Sequence, residues 1–358
     1  MIEARSKNEP AVMLIEDLHW IDPGTEAFVA TFVEAAAHTR TLLLLTYRPE
    51  YHAAFLARSH CHQLPLLPLA PEAVAELLGD LLGTDPSLAD LAARIQQHTA
   101  GNPFFVEEVV QDLVESGQLL GSKGRYRLAA SVDSLGIPPS VRAVLAARID
   151  RQPEREKGVL QTAAVIGLES GETTLAAVTQ LPREELAAAL RTLVSAELLY
   201  EAALYPEALY AFKHPLTREV AYASQLTDKR RRTHGAVARA LEAEIGAAEA
   251  SERAALVAHH FEEADEAPPA IRWHRRAADW ASRSNSLRAF EHSRRAFELA
   301  ERLPPSAERD AVEIHEGQRV LFFGSRVGMS PEEIARARDR AVDAARRAGQ
   351  NVSFDMHT

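Results

Sequence analysis

The chain holds one cysteine, Cys61, among 358 residues, so no disulfide can form within it, and this fits a reducing compartment. No run approaches the roughly 20 apolar residues that a helix needs to cross a bilayer. The opening MIEARSKNEP has no apolar stretch of signal-peptide length. These absences lead us to expect a cytoplasmic protein with no membrane partner. A surplus of base is also missing. Lys plus Arg is 40 against 51 Asp plus Glu, a net charge of −11, which argues against a chain-wide nucleic-acid binder. Aromatics make up only 6% while alanine and leucine abound, a balance that favours helices packed on helices. What is present, 46% hydrophobic and 25% charged residues, is ordinary for a globular chain with room for two or three domains.

The continuous apolar run Ala11–Ile15 reads as a strand buried on both faces. Asp22 is an N-cap before Pro23, and residues 24–38 carry Ala27, Phe28, Phe32 and Ala35 at helical spacing. A second run, TLLLLTYRPE (41–50), reads as another buried strand ended by Pro49, which gives the strand–helix–strand order of a parallel α/β sheet. Residues 62–69 suggest a third strand or an extended edge, demoted by Pro65 and Pro68. Beyond Pro71 the periodicity is helical over 71–83, 85–100 and 103–116. A small hairpin is expected in 117–136 around Ser122–Gly124. Helices over 140–150, 153–166, 172–180 and 183–199, then strand-like pieces flanking Pro206, make a winged-helix-like pattern. From Thr217 onward the chain reads as helical. The echo of Arg275-Arg276-Ala277 in Arg294-Arg295-Ala296 hints at stacked helical hairpins.

The chemistry concentrates where the first strand ends. Glu16 and Asp17 follow the apolar run directly, with His19, Trp20 and Asp22 close behind. Two carboxylates at the C-terminal end of a parallel strand lie where α/β sheets place ligands. There one acid can hold a hard cation such as Mg2+ while its neighbour orients or deprotonates an attacking water. Adjacent side chains on a strand point to opposite faces, so the two acids would not share one job. The plainer alternative is a strand that stops at a polar turn.

The segment LIEDLHWIDPGTEAF closely resembles the Walker B region of the signal-transduction ATPases with numerous domains (STAND), a branch of the AAA+ superfamily. It looks most like the ATPase modules of bacterial multidomain adenylate/guanylate cyclases, similar to the soluble adenylyl cyclases, and of large LuxR-type regulators. LLLLTYRPEY resembles that family's sensor strand, and GNPFFVEEVVQDLVESG its lid segment. IPPSVRAVLAARIDRQP and FKHPLTREVAYASQLTDKRRRTHGAVARALE follow the cyclase-associated pattern, and AHHFEEAD and AIRWHRRAADWA the helical repeats after it. The resemblance covers nearly the whole chain, in one order. It implies ATP and Mg2+ as cofactors, with Glu16 at the metal-binding acid and Asp17 as catalytic acid and metal neighbour. Many relatives carry Asp at the first of these places, and Glu16 is one methylene longer. It further places Arg48 where a guanidinium reads the γ-phosphate, and Gly101, Asn102 and Pro103 at the lid turn near the adenine. The alternatives are a strand-end salt bridge for Arg48 and a plain helix start for Pro103.

The fold expected is mostly α with an N-terminal α/β portion. Residues 1–70 would be the C-terminal part of a P-loop NTPase sheet, 71–136 a helical lid, 137–225 a winged-helix-like domain and 226–358 tetratricopeptide-like repeats. The phosphate-gripping loop G-x-x-x-x-G-K-[ST] occurs nowhere in the chain; GSKGRY (121–126) lacks the preceding strand and the Lys-Ser/Thr pair. No cyclase domain is visible either. The expectation is therefore a segment of a longer protein, catalytically inactive alone, whose partners are the P-loop and cyclase portion of its parent and proteins bound through the repeats. The competing reading is a scaffold or LuxR-type transcriptional regulator with a vestigial nucleotide site. A sheet so interrupted should expose Val12, Leu14 and Leu43, leaving residues 1–70 poorly packed. Trp20 is expected to pack against the helix after it. His214, with Arg218, is read as a structural hydrogen-bonding group, and Lys229–Arg232 as a solvated helix face near Asp228. The 14 histidines, His259 and His260 included, show no zinc-ligand spacing.

Overall fold

A computed structural model describes residues 9–129, 137–245 and 253–350. The expected hairpin's last residues, 130–136, and the chain end, 351–358, lie outside these. The chain divides into two compact units, Met1–Pro68 and Leu69–Thr358. It is mostly helical, as expected.

In the first unit β1 (Ala11–Ile15) and β2 (Thr41–Leu45) pair in parallel, from Ala11 opposite Thr41 to Ile15 opposite Leu45. Helix α1 (Pro23–Ala36) lies between them in sequence, its first amides capped by the Asp22 carboxylate at 3.0 Å. A small core gathers Leu18, Val29, Val33 and Phe55 with half-buried Ile15, Leu43 and Leu45. The strands are not buried on both faces. Val12 is 71% exposed, Leu14 54% and Leu42 55%, because one helix covers only one face of a two-stranded sheet. Exposure of Val12 and Leu14 matches the expectation for an interrupted sheet, whereas Leu43 turns inward onto the core and Leu42 and Leu44 face out. Strand β2 stops at Leu45, short of Pro49, and no strand forms over 62–69. There Pro65 and Pro68 remove two ladder donors, and Leu64, Leu66 and Leu67 stand in solvent.

The second unit opens with α2 (Pro71–Leu82), a short 3-10 turn (Pro86–Leu88), α3 (Ala89–Thr99) and α4 (Pro103–Glu115). Val74, Leu78, Leu91, Ile95, Val106, Val109 and Leu113 form their shared core. The expected hairpin is present as β3 (Leu119–Leu120) against β4 (Arg127–Leu128). It folds onto the end of α2, where Gly124 N–H donates to the Leu81 carbonyl at 2.8 Å and Tyr126 N–H to Leu82 at 2.9 Å. That close approach requires glycine at 83, which has φ 96 and whose Cβ would run into the Gly124 carbonyl.

Next come α5 (Val141–Arg151), α6 (Glu154–Ile166), β5 (Glu169–Gly171), α7 (Glu172–Thr179), α8 (Arg183–Ser195), β6 (Leu199–Ala203) and β7 (Leu209–Phe212). The three strands form an antiparallel sheet ordered β5-β7-β6 over a core containing Leu145, Leu160, Leu175, Leu186, Leu190 and Phe212. The helical periodicity of 183–199 overruns the real helix, because Glu197 takes a left-handed φ of 55 and the chain re-enters as β6. Then α9 (Pro215–Ala223), α10 (Thr227–Glu244), α11 (Ala254–Glu263), α12 (Ala267–Ala281), α13 (Ser286–Leu299), α14 (Ala307–Val327) and α15 (Pro331–Arg347) follow, and from α10 onward each helix packs on the next. The Arg-Arg-Ala echo falls on α12 and α13, two consecutive helices of this stack. Among the described residues no helix is long and apolar enough to cross a membrane.

Candidate functional site

Strand β1 ends at Ile15, so Glu16 and Asp17 stand beyond it rather than on it, and the opposite-faces argument from strand geometry does not apply. Asp17 turns the chain with a left-handed φ of 56 and starts a 3-10 turn at Leu18–Trp20. Thr46, the first residue after β2, straps this turn in place. Its N–H donates to the Ile15 carbonyl at 3.0 Å and its carbonyl accepts from Leu18 N–H at 2.9 Å. Its hydroxyl oxygen accepts from Asp17 N–H at 3.0 Å. A polar residue closing a run of four leucines was the one sequence signal for this role.

Both carboxylates are exposed, and no Lys or Arg neutralises either among the described residues. The nearest positive candidate is His19, whose Nδ1 lies 3.9 Å from Asp17 Oδ1. Trp20 does not pack against the helix; it is 75% exposed, its ring 5.2 Å from that of His19. Arg48 lies on the loop after β2, at the same sheet edge as the acids because the strands are parallel. Its guanidinium is exposed and makes no ion pair among the described residues, so the salt-bridge alternative is not realised there. Tyr51 anchors this loop to α1 by donating to Glu26 Oε2 at 3.0 Å. Burial, together with the Glu26 carboxylate, pushes the Tyr51 phenol up to about 12. Exposed carboxylate oxygens are the donor type that a hard cation takes, and an exposed guanidinium is the type that a phosphate takes. No group of three or more His, Cys, Asp or Glu side chains gathers to hold a metal among the described residues.

Gly101, Asn102 and Pro103 form the turn between α3 and α4 in the second unit. Ala100 and Gly101 take left-handed φ of 47 and 79. Asn102 N–H donates to Thr99 O at 2.9 Å, and its side-chain oxygen caps α4 by accepting from Phe105 N–H at 3.1 Å. The Gly101 carbonyl accepts from Leu69 N–H at 2.8 Å. The Asn102 cap and the Gly101 carbonyl are thus engaged locally, as in the plain helix start. The structure brings Glu16, Asp17 and Arg48 to one edge, and Gly101, Asn102 and Pro103 to one turn.

His214 is structural as expected: its Nδ1 accepts from Leu216 N–H at 3.0 Å and its ring stacks 3.9 Å from Phe104, beside the Gly-Asn-Pro turn. Arg218 donates to the Ala164 carbonyl at 3.0 Å. Arg148, fully buried, is a residue that the sequence reading missed. It donates to Glu115 (Nε at 3.1 Å), pairs with Glu108 and reaches the Ala196 carbonyl at the end of α8, while Arg151 pairs with Asp112. Glu108, Asp112 and Glu115 fall at i, i+4 and i+7 of α4, a spacing from which such a clasp could have been read. Burial pushes the Glu108 carboxyl up, and the neighbouring Arg148 only partly pulls it back.

Residues 71–118 match the family described as a domain of unknown function, DUF8739. The chain is 27% identical over 357 residues to Uncharacterized protein R02095 of Rhizobium meliloti (strain 1021), an alignment that covers 97% of this chain and 33% of that protein. The chain thus spans about a third of the length of the curated relative it matches. Its structure is similar, with a TM-score of 0.45 and 12% identity, to the crystal structure of the STAND protein with a tetratricopeptide repeat sensor PH0952 from Pyrococcus horikoshii. That likeness covers 96% of this chain and 63% of the other.

Proposed function

We propose that this chain is a regulatory segment of a nucleotide-dependent signalling protein of the STAND kind. In this reading the first unit supplies the metal side of an ATP site and the helical unit relays its state to an output module of cyclase or LuxR type. The observation that carries the reading is the edge shared by Glu16, Asp17 and Arg48: two carboxylates with no Lys or Arg partner and one guanidinium with no ion pair, among the described residues, at the C-terminal end of a parallel strand pair. Glu16 would hold Mg2+, which supplies charge neutralisation and orientation of the phosphates. Asp17, whose backbone N–H donates to the Thr46 hydroxyl, would orient the attacking water and accept its proton through its carboxylate. Arg48 would contact the terminal phosphate through its free fork.

With no phosphate loop in its sequence, the 358-residue chain is expected to turn over no ATP by itself. In the full translated product of the gene, Glu16→Ala with Asp17→Ala is expected to lower ATP turnover at least about a hundredfold, the scale of losing metal and proton-transfer groups. Turnover unchanged in that double variant would overturn the assignment. The order α6-β5-α7-α8-β6-β7, with β5 and β6 flanking β7, favours a winged-helix reading of 154–212. It also keeps the regulator alternative in view: specific duplex-DNA binding by the full product with no ATPase activity would select it.

A further inference from the structure

In the basic run Lys229–Arg232, Arg231 and Arg232 are exposed, as a solvated face requires, while Lys229 and Arg230 are half-buried. Lys229 Nζ donates to Gln161 Oε1 at 2.9 Å, Arg230 lies over the Tyr222 ring at 4.8 Å, and Arg231 turns toward the α11–α12 turn. There a cleft of about 360 Å³ opens between the start of α10, that turn and the end of α13. Four guanidinium groups line it, from Arg230, Arg231, Arg295 and Arg302, against the carboxylates of Glu262, Glu263 and Asp265. The cleft therefore carries a surplus of positive charge in a chain whose net charge is −11.

These arginines differ in how far they are committed. Arg295 is spent on Glu262, at 2.8 Å from Nε, and on Glu298 at 3.0 Å. Arg231 and Arg302 share a single carboxylate, Asp265, at 3.9 and 3.3 Å, long for charge-assisted pairs, which close to about 2.7–2.9 Å. Arg230 faces no carboxylate within ion-pair distance among the described residues. Three forks thus face one open space, with Asp265 loosely held between two of them and Glu263 also in the lining. Thr227 adds a hydroxyl at the same wall, where α10 begins without a side-chain cap.

We propose that this cleft binds a small oxyanion, a phosphate or phosphate monoester, between Arg230, Arg231 and Arg302, with Asp265 as the intramolecular carboxylate that the ligand displaces. A phosphate offers three acceptor oxygens to the three forks, whereas Asp265 offers two to a pair of arginines it does not closely reach. Glu263, also in the lining, opposes added negative charge. The proposal does not depend on the nucleotide reading of the first unit.

The test is calorimetric titration of the 358-residue chain with inorganic phosphate at fixed ionic strength, with chloride as control. Saturable binding is expected, weakened about tenfold or more in Arg230→Gln and again in Arg302→Gln, the scale of losing one charge-assisted bond. Asp265→Asn is expected to tighten binding severalfold. It keeps the left-handed turn at φ 63, which asparagine tolerates, and frees both arginines. Far-UV circular dichroism melts confirm that the variants are folded. No saturable binding to the native chain, binding indifferent to the two glutamine variants, or weaker binding in Asp265→Asn would each overturn the proposal.

Discussion

Arg148 shows how much one side chain holds together. Fully buried, it satisfies Glu108, Glu115 and the last carbonyl turn of α8, so three elements far apart in sequence meet on a single guanidinium. Replacing it by methionine keeps the apolar stem but strands two carboxylates. Removing one partner of a buried pair typically costs about 3–5 kcal/mol. Arg148→Met should lose about that much unfolding free energy in urea at pH 7. The loss should shrink as the pH falls, because burial pushes the Glu108 carboxyl up and favours its protonation. A loss under about 1 kcal/mol would show that the clasp is not a stability element. Asp17 is the contrasting case, an exposed residue in a backbone region costly for L-residues, fixed through one hydroxyl. Its sequence neighbours announced a polar strand end. Nothing in them announced the left-handed turn, because the partner, Thr46, lies 29 residues away.

The elements were legible in the sequence to different degrees. Helices from Pro71 onward could be read because apolar spacing, Pro at the first turn and polar caps agree; Asn102-Pro103 and Ser330-Pro331 are examples. The strands misled. TLLLL reads as buried on both faces, yet Leu42 and Leu44 are exposed, since burial depends on neighbouring layers that a local pattern cannot report. The stretch 62–69 failed for a simpler reason: leucines between prolines look strand-like to hydropathy while the prolines forbid a ladder. The site was half legible. Glu16, Asp17 and Arg48 sit on strand ends that periodicity locates, whereas the Arg230–Arg302 cleft joins residues from opposite ends of three helices. Because Val12, Leu42 and Leu44 have little to pack against, changing all three to threonine should alter stability by less than about 0.5 kcal/mol per site and raise solubility. A cooperative loss of several kcal/mol in a denaturant titration would show that this face is covered.

Across the whole molecule, the stack from α10 to α13 carries histidines that touch in pairs. His234 Nδ1 lies 2.9 Å from His260 Nδ1, and His274 Nδ1 lies 3.1 Å from His292 Nδ1. Each pair needs one ring to donate and the other to accept, so at least the accepting ring is neutral. Burial, helped by His259, Arg230 and Arg218, lowers His234 to about 4; burial with His234, His259 and Arg218 lowers His260 to about 3. Burial with His274 and Arg288 lowers His292 to about 4. In the unfolded chain these rings titrate near 6.5, so between there and about pH 4 the unfolded state binds more protons. Unfolding free energy should therefore be fully present above pH 6.5 and fall steadily as the pH drops toward 4. Guanidinium melts at pH 7, 5.5 and 4.5 measure this, and His234→Gln with His292→Gln should flatten the slope. A profile level over that range would contradict the burial of these rings.

The leucine–proline ribbon over 62–68 ends where the second compact unit begins. Its apolar side chains are accessible and its backbone joins no ladder, which is the condition a protease with a taste for leucine requires. A brief digest should nick the polypeptide there before any helix is cut. The larger product, starting near Leu69 and keeping its own core, would then be the natural unit for crystallisation and calorimetry.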